Sequence, residues 1–120
     1  MVKSYQDLIV WQKAVELAEA VYRATRGFPK EELYGLVSQM RRAAVSVPSN
    51  IAEGQARESR GEFVQFLGHA RGSLAELHTQ TILAERLNML STAAADEVRQ
   101  QIEQVGKLLS GLRRSLTTSH

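Results

Sequence analysis

Four polar side chains that could bind or react recur at helical spacing within residues 41–57 of the sequence. They are a guanidinium, a hydroxyl, an amide and a carboxylate: Arg42, Ser46, Asn50 and Glu53. Their spacing places them on one face of a helix, where they would either bind a polar ligand or hydrogen-bond within the fold. Pro48 interrupts the same segment, and a proline in a helix interior usually costs about 3 kcal/mol or more. The segment therefore predicts a helix with one polar face. Other contacts of this helix must offset the free-energy cost of Pro48.

We favour a structural role for two of these side chains. Ser46 and Asn50 are close enough to Pro48 to hydrogen-bond backbone groups that the proline frees, notably the Ala44 carbonyl. The carboxylate of the stripe is expected to pair with an arginine. Arg41 points among small apolar groups, so its charge needs a partner on the following helix. The predicted structural polar and ion-pair residues are Arg41, Ser46, Asn50, Glu53 and Glu76, the last as the partner of Arg41.

The sequence lacks the residue patterns of the common catalytic and metal sites. His69 and His78 are nine residues apart and point to different sides of a helix, and the third histidine is the last residue. There is no cysteine, no paired Glu and His spacing of a metalloenzyme, and no glycine-rich phosphate loop. We therefore expect a protein that is not an enzyme and that has no cofactor or metal.

The basic side chains are mainly arginines, 11 against 4 lysines, although the net charge is only +2. Arginine suits planar, bidentate contacts to phosphate, so this bias suggests nucleic acid or ion-paired interfaces. The candidates for phosphate contact cluster around one end of the second and third predicted helices: Arg41, Arg42, Arg57, Arg60 and Arg71. Glutamates at positions 53, 58, 62 and 76 alternate with them, so solvated, ion-paired arginines explain the pattern equally well.

Apolar periodicity and end signals predict four helices. The first covers residues 6–26, and the second covers residues 29–54 with its stop at a glycine. An S-x-x-E capping box at Ser59 begins the third helix, and Ser91 or Thr92 caps the fourth. Short connections between four such helices favour an all-α fold, an up-down-up-down antiparallel four-helix bundle.

Length and composition limit the organisation of the chain. A chain of 120 residues can bury one core, so we expect a single domain over 1–120, with frayed tails over about 1–4 and 117–120. Helix two is expected to kink or break at Pro48. No apolar run has the length of a signal peptide or a membrane span, and the lack of cysteine permits a reducing compartment. A cytoplasmic protein is therefore predicted.

Some apolar positions have no place in the predicted core of a monomer. The core stripe predicted for helix one is Leu8, Trp11, Val15, Ala18 and Tyr22, widened by Ala14 and Val21. Other apolar residues of helix one lie off that stripe, and two glycines of helix three are one turn apart, away from its core stripe. Both features suggest burial against another subunit, with the interface candidates Ile9, Val10, Leu17, Gly68 and Gly72.

Longer stretches of the chain resemble a known family. They are DLIVWQKA at 7–14, FPKEELYGL at 28–36, QMRRAAVSVPSNIAEG at 39–54, EFVQFLGHARGSLAEL at 62–77 and the following TQTILAERLNML. On these residues the chain resembles the four-helix-bundle family of 23S ribosomal RNA intervening-sequence proteins. The resemblance covers nearly all of residues 5–90 and rests on the Arg-Arg, Ser, Asn-Ile-Ala-Glu-Gly and Gly-Ser-x-x-Glu elements together.

The resemblance implies an up-down four-helix bundle that assembles as a homopentameric ring or barrel. It also implies kinship with the accessory proteins of diversity-generating retroelements, which bind a reverse transcriptase and nucleic acid. With the arginines, it predicts a non-enzymatic homopentamer that binds structured RNA or DNA through arginine–phosphate contacts. The alternative is a protein-interaction scaffold, or an accessory subunit of a nucleic-acid-processing protein, that does not itself bind nucleic acid. No membrane partner is expected.

Overall fold

Four α-helices make up the fold in this computed structural model, which describes residues 3–118. They are α1 (Ile9–Thr25), α2 (Leu36–Ala56), α3 (Arg60–Arg86) and α4 (Thr92–Thr118). Helices that follow one another in sequence pack side by side, and α4 closes the arrangement against α1. The described residues contain no strand, and none of their helices has the length and apolar character that crossing a membrane requires. The predicted all-α four-helix bundle is confirmed.

The first two helices begin later than predicted because a short 3₁₀ turn precedes each of them. One turn is Tyr5–Asp7, where the Ser4 hydroxyl accepts the backbone N–H of the second residue after it at 3.1 Å. Leu8 then adopts an extended conformation, with φ −79° and ψ 125°, so α1 cannot start before the next residue. The other turn is Lys30–Glu32, and Gly35, with φ −110° and ψ −111°, separates it from α2. The predicted starts at residues 6 and 29 are therefore wrong.

The starts of α3 and α4 agree with the predicted caps. Ser59 Oγ accepts the Glu62 N–H at 3.1 Å, and Ser91 Oγ accepts the Ala94 N–H at 3.1 Å. These bonds satisfy amide groups that a first helical turn leaves without partners. At its other end α4 continues through Thr118. The predicted frayed tails fall partly on residues 1, 2, 119 and 120, which lie outside the described range.

The buried face of α1 agrees with the predicted one only at Ala14 and Val21. Its buried apolar side chains are Val10, Ala14, Leu17, Ala20 and Val21. The predicted stripe is rotated towards the surface, since Leu8 and Ala18 are only partly buried and Tyr22 is 41% exposed. Both sets recur at helical spacing because α1 is apolar around most of its circumference, so periodicity cannot choose between them. Val10 and Leu17 are core residues, and their assignment to a subunit interface is wrong.

The closest approach between two helices occurs at Gly54 and not at Gly68 or Gly72. Gly54 is buried within α2, and a Cβ there would stand 2.7 Å from Phe66 Cβ and 3.1 Å from Phe63 Cδ1. The prediction that this glycine ends helix two is wrong, because α2 continues beyond it. A Cβ at Gly72 would meet nothing within 4 Å, and one at Gly68 only an arginine nitrogen at 4.0 Å. Within the described single chain, no helix approaches closely at the two glycines of α3.

Pro48 lies inside α2, and the helix continues through it without a break. Neither Ser46 nor Asn50 hydrogen-bonds to the Ala44 carbonyl, so the predicted repair of the backbone is wrong. Asn50 Nδ2 donates instead to the Ser46 carbonyl at 2.8 Å. The ring of Pro48 is buried between α1 and α2, and this packing offsets the hydrogen bond that the proline removes.

Replacing Gly54 with alanine should destabilise the bundle by about 1–3 kcal/mol, because the added methyl group would overlap Phe66 and force α2 and α3 apart. Gly72→Ala is the matched control, since it adds the same group in open space on an exposed helix. That control should gain up to about 1 kcal/mol from its higher helix propensity. Denaturant unfolding of both variants measures the effects, and equal stabilities would contradict the close approach at Gly54.

Candidate nucleic-acid interface

Arg41, the first of the predicted phosphate-binding arginines, connects α2 to α1. Its Nε donates to Thr25 Oγ1 at 2.9 Å, and its Nη2 donates to the Tyr22 carbonyl at 3.3 Å. The guanidinium carbon also lies 4.5 Å from the centre of the Tyr22 ring, within range of a cation–π interaction. Neutral oxygens and an aromatic ring satisfy this half-buried charge, so the predicted pair with Glu76 does not form. Arg41 stabilises the fold and is not placed to contact phosphate.

Arg57 and Arg60 lie at the turn between α2 and α3. Arg57 pairs with Glu53 at 2.9 Å and with Glu62 at 3.5 Å. Its guanidinium carbon is 4.9 Å from the centre of the Phe66 ring. Two carboxylates neutralise Arg57, so it has little charge left for a phosphate group. Arg60 is exposed at the first residue of α3 and lines none of the grooves described below.

The polar face of α2 meets α3 through two serines. Ser46 Oγ and Ser73 Oγ are 2.8 Å apart, and Asn50 Nδ2 also donates to Ser46 Oγ at 2.9 Å. Beside this network is a cavity of about 440 Å³, lined by Gln39, Arg42, Ala43, Ser46, Ser73 and Glu76. We call it the α2–α3 groove. Arg42 and Glu76 lie on its opposite walls, away from the side of α2 that Arg41 occupies.

A larger groove runs between α3 and α4 and contains the fifth candidate, Arg71. Its volume is about 680 Å³, and we call it the α3–α4 groove. The residues that line it are Arg71, Leu74, Ala75, His78, Arg99, Ile102, Glu103, Gly106, Lys107, Ser110 and Arg114. Leu74 and Ile102 are buried and form its floor. Four of the lining side chains are basic and one is acidic, which makes this groove the candidate nucleic-acid interface.

Two arginines that line one end of the α3–α4 groove, and a third beside them on α4, have no carboxylate partner among residues 3–118. Arg71 of α3 and Arg113 and Arg114 of α4 form no ion pair with any residue between 3 and 118. Arg113 Nε is buried and donates to no acceptor in that range. Its Nη2 lies beside the α3 backbone at Gly68, and Gly72 leaves open space one turn further along. This end therefore combines uncompensated positive charge with bare backbone that an anion can approach closely.

The opposite end of the groove is neutralised by ion pairs. Arg99 Nη1 donates to Glu85 Oε1 at 2.7 Å, and Arg99 Nη2 donates to Asp96. The hydrogen bond from Arg99 is the main cause that lowers the pKa of Glu85, and the same bond raises the pKa of Arg99. Between the two ends, Lys107 pairs with Glu103 at 3.2 Å on the exposed rim. The basic side chains of the groove therefore form ion pairs near the start of α4 and have none near its end.

Sequence reasoning missed the α4 side of this groove. The pattern that could have shown it is a row at spacings of three and four on α4: Arg99, Glu103, Lys107, Ser110 and Arg114. Arg71 is far from this row in the chain, and only the antiparallel packing of α3 and α4 brings them together. Of the five predicted arginines, Arg71 is the one that lines the groove.

Comparisons with known proteins identify relatives of the chain. Residues 6–111 match the model of a family described as 23S rRNA-intervening sequence protein. The chain belongs to this family. It is also similar to a crystal structure from Bacteroides thetaiotaomicron, described as a protein with unknown function from the S23 ribosomal protein family. Identity is 20% and the TM-score 0.79 over 88% of this chain and 98% of that chain, so this likeness shows the fold alone. No curated protein matches the chain.

The two grooves relate differently to the 23S rRNA-intervening sequence protein motifs. The α2–α3 groove brings together side chains from the Arg-Arg and Ser elements on α2 and from the Gly-Ser-x-x-Glu element on α3. At the α3–α4 groove, Arg71 lies within the matched residues, whereas Arg113 and Arg114 lie beyond residue 111. The unpaired end of that groove therefore depends on two arginines that the family match does not include.

Replacing Glu85 with glutamine should lower the free energy of unfolding at neutral pH, because it weakens the charged hydrogen bond to Arg99. The folded state lowers the pKa of Glu85, so its contribution is complete above the ordinary glutamate pKa. That contribution is lost as the pH falls through the lowered value. The stability difference between the wild type and Glu85→Gln should therefore shrink between pH 7 and about pH 3.

Denaturant titrations at both pH values measure this difference. Glu19→Gln is the control, because Glu19 is exposed and has no ion pair among the described residues. It should show no comparable loss at neutral pH. A Glu85→Gln effect that stays constant or grows on acidification would contradict the assigned role of the Arg99 pair.

Proposed function

We propose that this member of the family is a non-enzymatic, homo-oligomeric protein that binds structured RNA or DNA through its α3–α4 groove. Arg71, Arg113 and Arg114 contact phosphate groups of the nucleic acid. The observation that carries the proposal is that Arg71 and Arg114 line one end of the groove, with Arg113 next in the chain to Arg114, and that none of the three has a carboxylate partner in residues 3–118.

A phosphodiester group suits the donors that this end of the groove leaves open. Arginine presents its N–H groups in a planar fork that matches two phosphate oxygens. Arg113 Nε is a buried donor without an acceptor, and such a group usually costs about 1–3 kcal/mol. Because Nε is enclosed by the protein, the Nη groups of Arg113 are the ones that a phosphate would contact.

Apolar surface that the single chain leaves exposed supports homo-oligomerisation. A cavity of about 430 Å³ between α1 and α2, which we call the α1–α2 groove, is lined by Val15, Ala18, Glu19, Tyr22, Arg23, Arg26, Val45 and Pro48. Tyr22 and Val45 are 41% and 42% exposed, and Ile9 is 57% exposed. A neighbouring subunit over the α1–α2 groove would remove this surface from water. A head-to-tail contact of this kind repeats until it closes, as in the pentameric ring that the resemblance implies.

The resemblance to accessory proteins of diversity-generating retroelements supports a partner of one class. Those proteins bind a reverse transcriptase together with nucleic acid, so the partner would be an enzyme that processes RNA or DNA. Such an enzyme would meet the oligomer on the same nucleic acid that occupies the α3–α4 groove.

Binding to an RNA hairpin or a mixed-sequence DNA duplex should weaken steeply as salt is added, because phosphate contacts release counterions. The double variant Arg71→Gln and Arg114→Gln should bind more weakly at low salt. Its slope of log K against log salt concentration should be smaller by about one for each arginine removed. Fluorescence-anisotropy titrations at several salt concentrations measure both quantities.

Lys30→Gln is the control, since Lys30 is exposed in the turn before α2, lines none of the grooves and should not change the affinity. If neither nucleic acid binds at low salt, the proposed function is wrong. If binding occurs and the double variant equals the wild type, the α3–α4 groove is not the site. One stoichiometric protein partner that remains after nuclease treatment, without nucleic-acid binding, would support the scaffold function instead.

Replacing Val45 with glutamate should split the oligomer into smaller species, because the contact would have to desolvate a carboxylate in the α1–α2 groove. Val45 is 42% exposed, so circular dichroism should show an intact fold. Light scattering should find the wild-type protein as rings of five 13.4 kDa chains, and the variant at lower mass. Ala93→Glu, at an exposed position in the first turn of α4, is the control. A wild-type monomer at micromolar concentration would overturn the oligomeric function.

A further inference from the structure

The α2–α3 groove has opposite charges on its two walls. Arg42 of α2 and Glu76 of α3 are both exposed, and neither forms an ion pair with a residue from 3 to 118. Between them lie Ala43 and the hydrogen-bonded pair of Ser46 and Ser73, whose short side chains let another helix approach closely. The groove is thus a preformed polar concavity with one unpaired cation and one unpaired anion.

The same face of α3 continues into exposed apolar surface. Residues at spacings of three and four form one row along α3 that ends at its C-cap: Ser73, Glu76, Gln80, Leu83 and Leu87. Gln80 is the buried member of this row. Leu83 is 46% exposed and Leu87 is 52% exposed. The row is roughly 20 Å long at the rise of an α-helix. The α2–α3 face, defined as this row together with the α2–α3 groove, therefore has a charged half and an apolar half.

We propose that the α2–α3 face binds a second copy of the chain across a two-fold axis, with Arg42 of each copy paired with Glu76 of the partner subunit. A two-fold axis brings the same face of both copies together, so the cation of each meets the anion of the other. The leucine end of each copy covers the surface of the partner and leaves water at the same time. In this arrangement each Arg42 and each Glu76 has a partner of opposite charge, so no further ion or protein is required to neutralise them.

A second copy fits this face better than nucleic acid does. A phosphate backbone over the groove would lie next to the Glu76 carboxylate, which repels it. Exposed ion pairs add little affinity individually, so burial of Leu83 and Leu87 supplies most of the binding. The two symmetric pairs of Arg42 with the partner's Glu76 set the orientation, because a shifted or parallel arrangement would bring like charges together.

The two-fold contact is separate from the head-to-tail contact at the α1–α2 groove. The two-fold contact uses α3 and the opposite side of α2. It therefore doubles the number of chains in the assembly that the head-to-tail contact forms. Single chains would form dimers, and single rings would form pairs of rings. The wild-type protein should therefore double its mass as its concentration rises.

Charge reversal tests the contact. Arg42→Glu alone or Glu76→Arg alone places like charges together across the axis, so each should raise the dissociation constant of the doubling at least about tenfold. The double variant with both reversals re-forms the pair with opposite polarity and should restore the doubling. Sedimentation velocity over a concentration series at low salt measures the doubling for all four proteins. Glu97→Arg reverses a charge on the α1 side of α4, away from both the α2–α3 face and the α1–α2 groove, and should behave as the wild type.

Circular dichroism of each variant verifies the fold, and the three changed positions are all exposed. A wild-type protein whose mass does not double at any concentration would overturn the proposal. Single reversals that double as readily as the wild type would do the same. A folded double variant that fails to recover the doubling would also overturn the proposal. In that case the single reversals would have acted through something other than the pair of Arg42 with the partner's Glu76.

Discussion

The packing of α2 on α3 at Gly54 determines where most of the functional side chains lie. The missing side chain lets the α2 backbone rest against two phenylalanines of α3, at a distance that any other residue would increase. About two turns further along α2, the hydrogen bond between Ser46 and Ser73 fixes the same antiparallel register. That register places Arg42 and Glu76 on opposite walls of one groove, and it turns another side of α3 towards α4.

The arginines differ in function because different groups lie beside them. Arg41 is satisfied by neutral oxygens and a tyrosine ring, so its charge stabilises the contact of α2 with α1. Arg57 and Arg99 each have two carboxylate partners, which leaves them little net charge. The arginines at the end of the α3–α4 groove have no such partner. Under the proposed function, a phosphate group would therefore distinguish among chemically identical arginines by the charges around them.

The sequence predicts those features that depend on residues close together in the chain. The number of helices, the caps at Ser59 and Ser91 and the fold class follow from spacing and local hydrogen bonding, and the structure has them. The buried face of α1 could not be predicted, because its apolar residues cover most of the helix surface. The cationic end of the α3–α4 groove could not be predicted either, since Arg71 and Arg114 meet only through helix packing. The partner of Arg41 was missed because neutral groups satisfied a charge for which a carboxylate was expected.

The two proposed surfaces occupy different sides of one helix. Arg71 and Glu76 are five residues apart on α3, which turns them by about 140° around its axis at 100° per residue. Nucleic acid in the α3–α4 groove therefore leaves the α2–α3 face free for a second copy. Pairing of two copies doubles the number of phosphate-binding grooves on one assembly, and a long nucleic acid that reaches both is held far more tightly than by either alone. A weak self-contact can thus control the affinity for nucleic acid, because it changes the number of grooves that act together and leaves each groove unchanged.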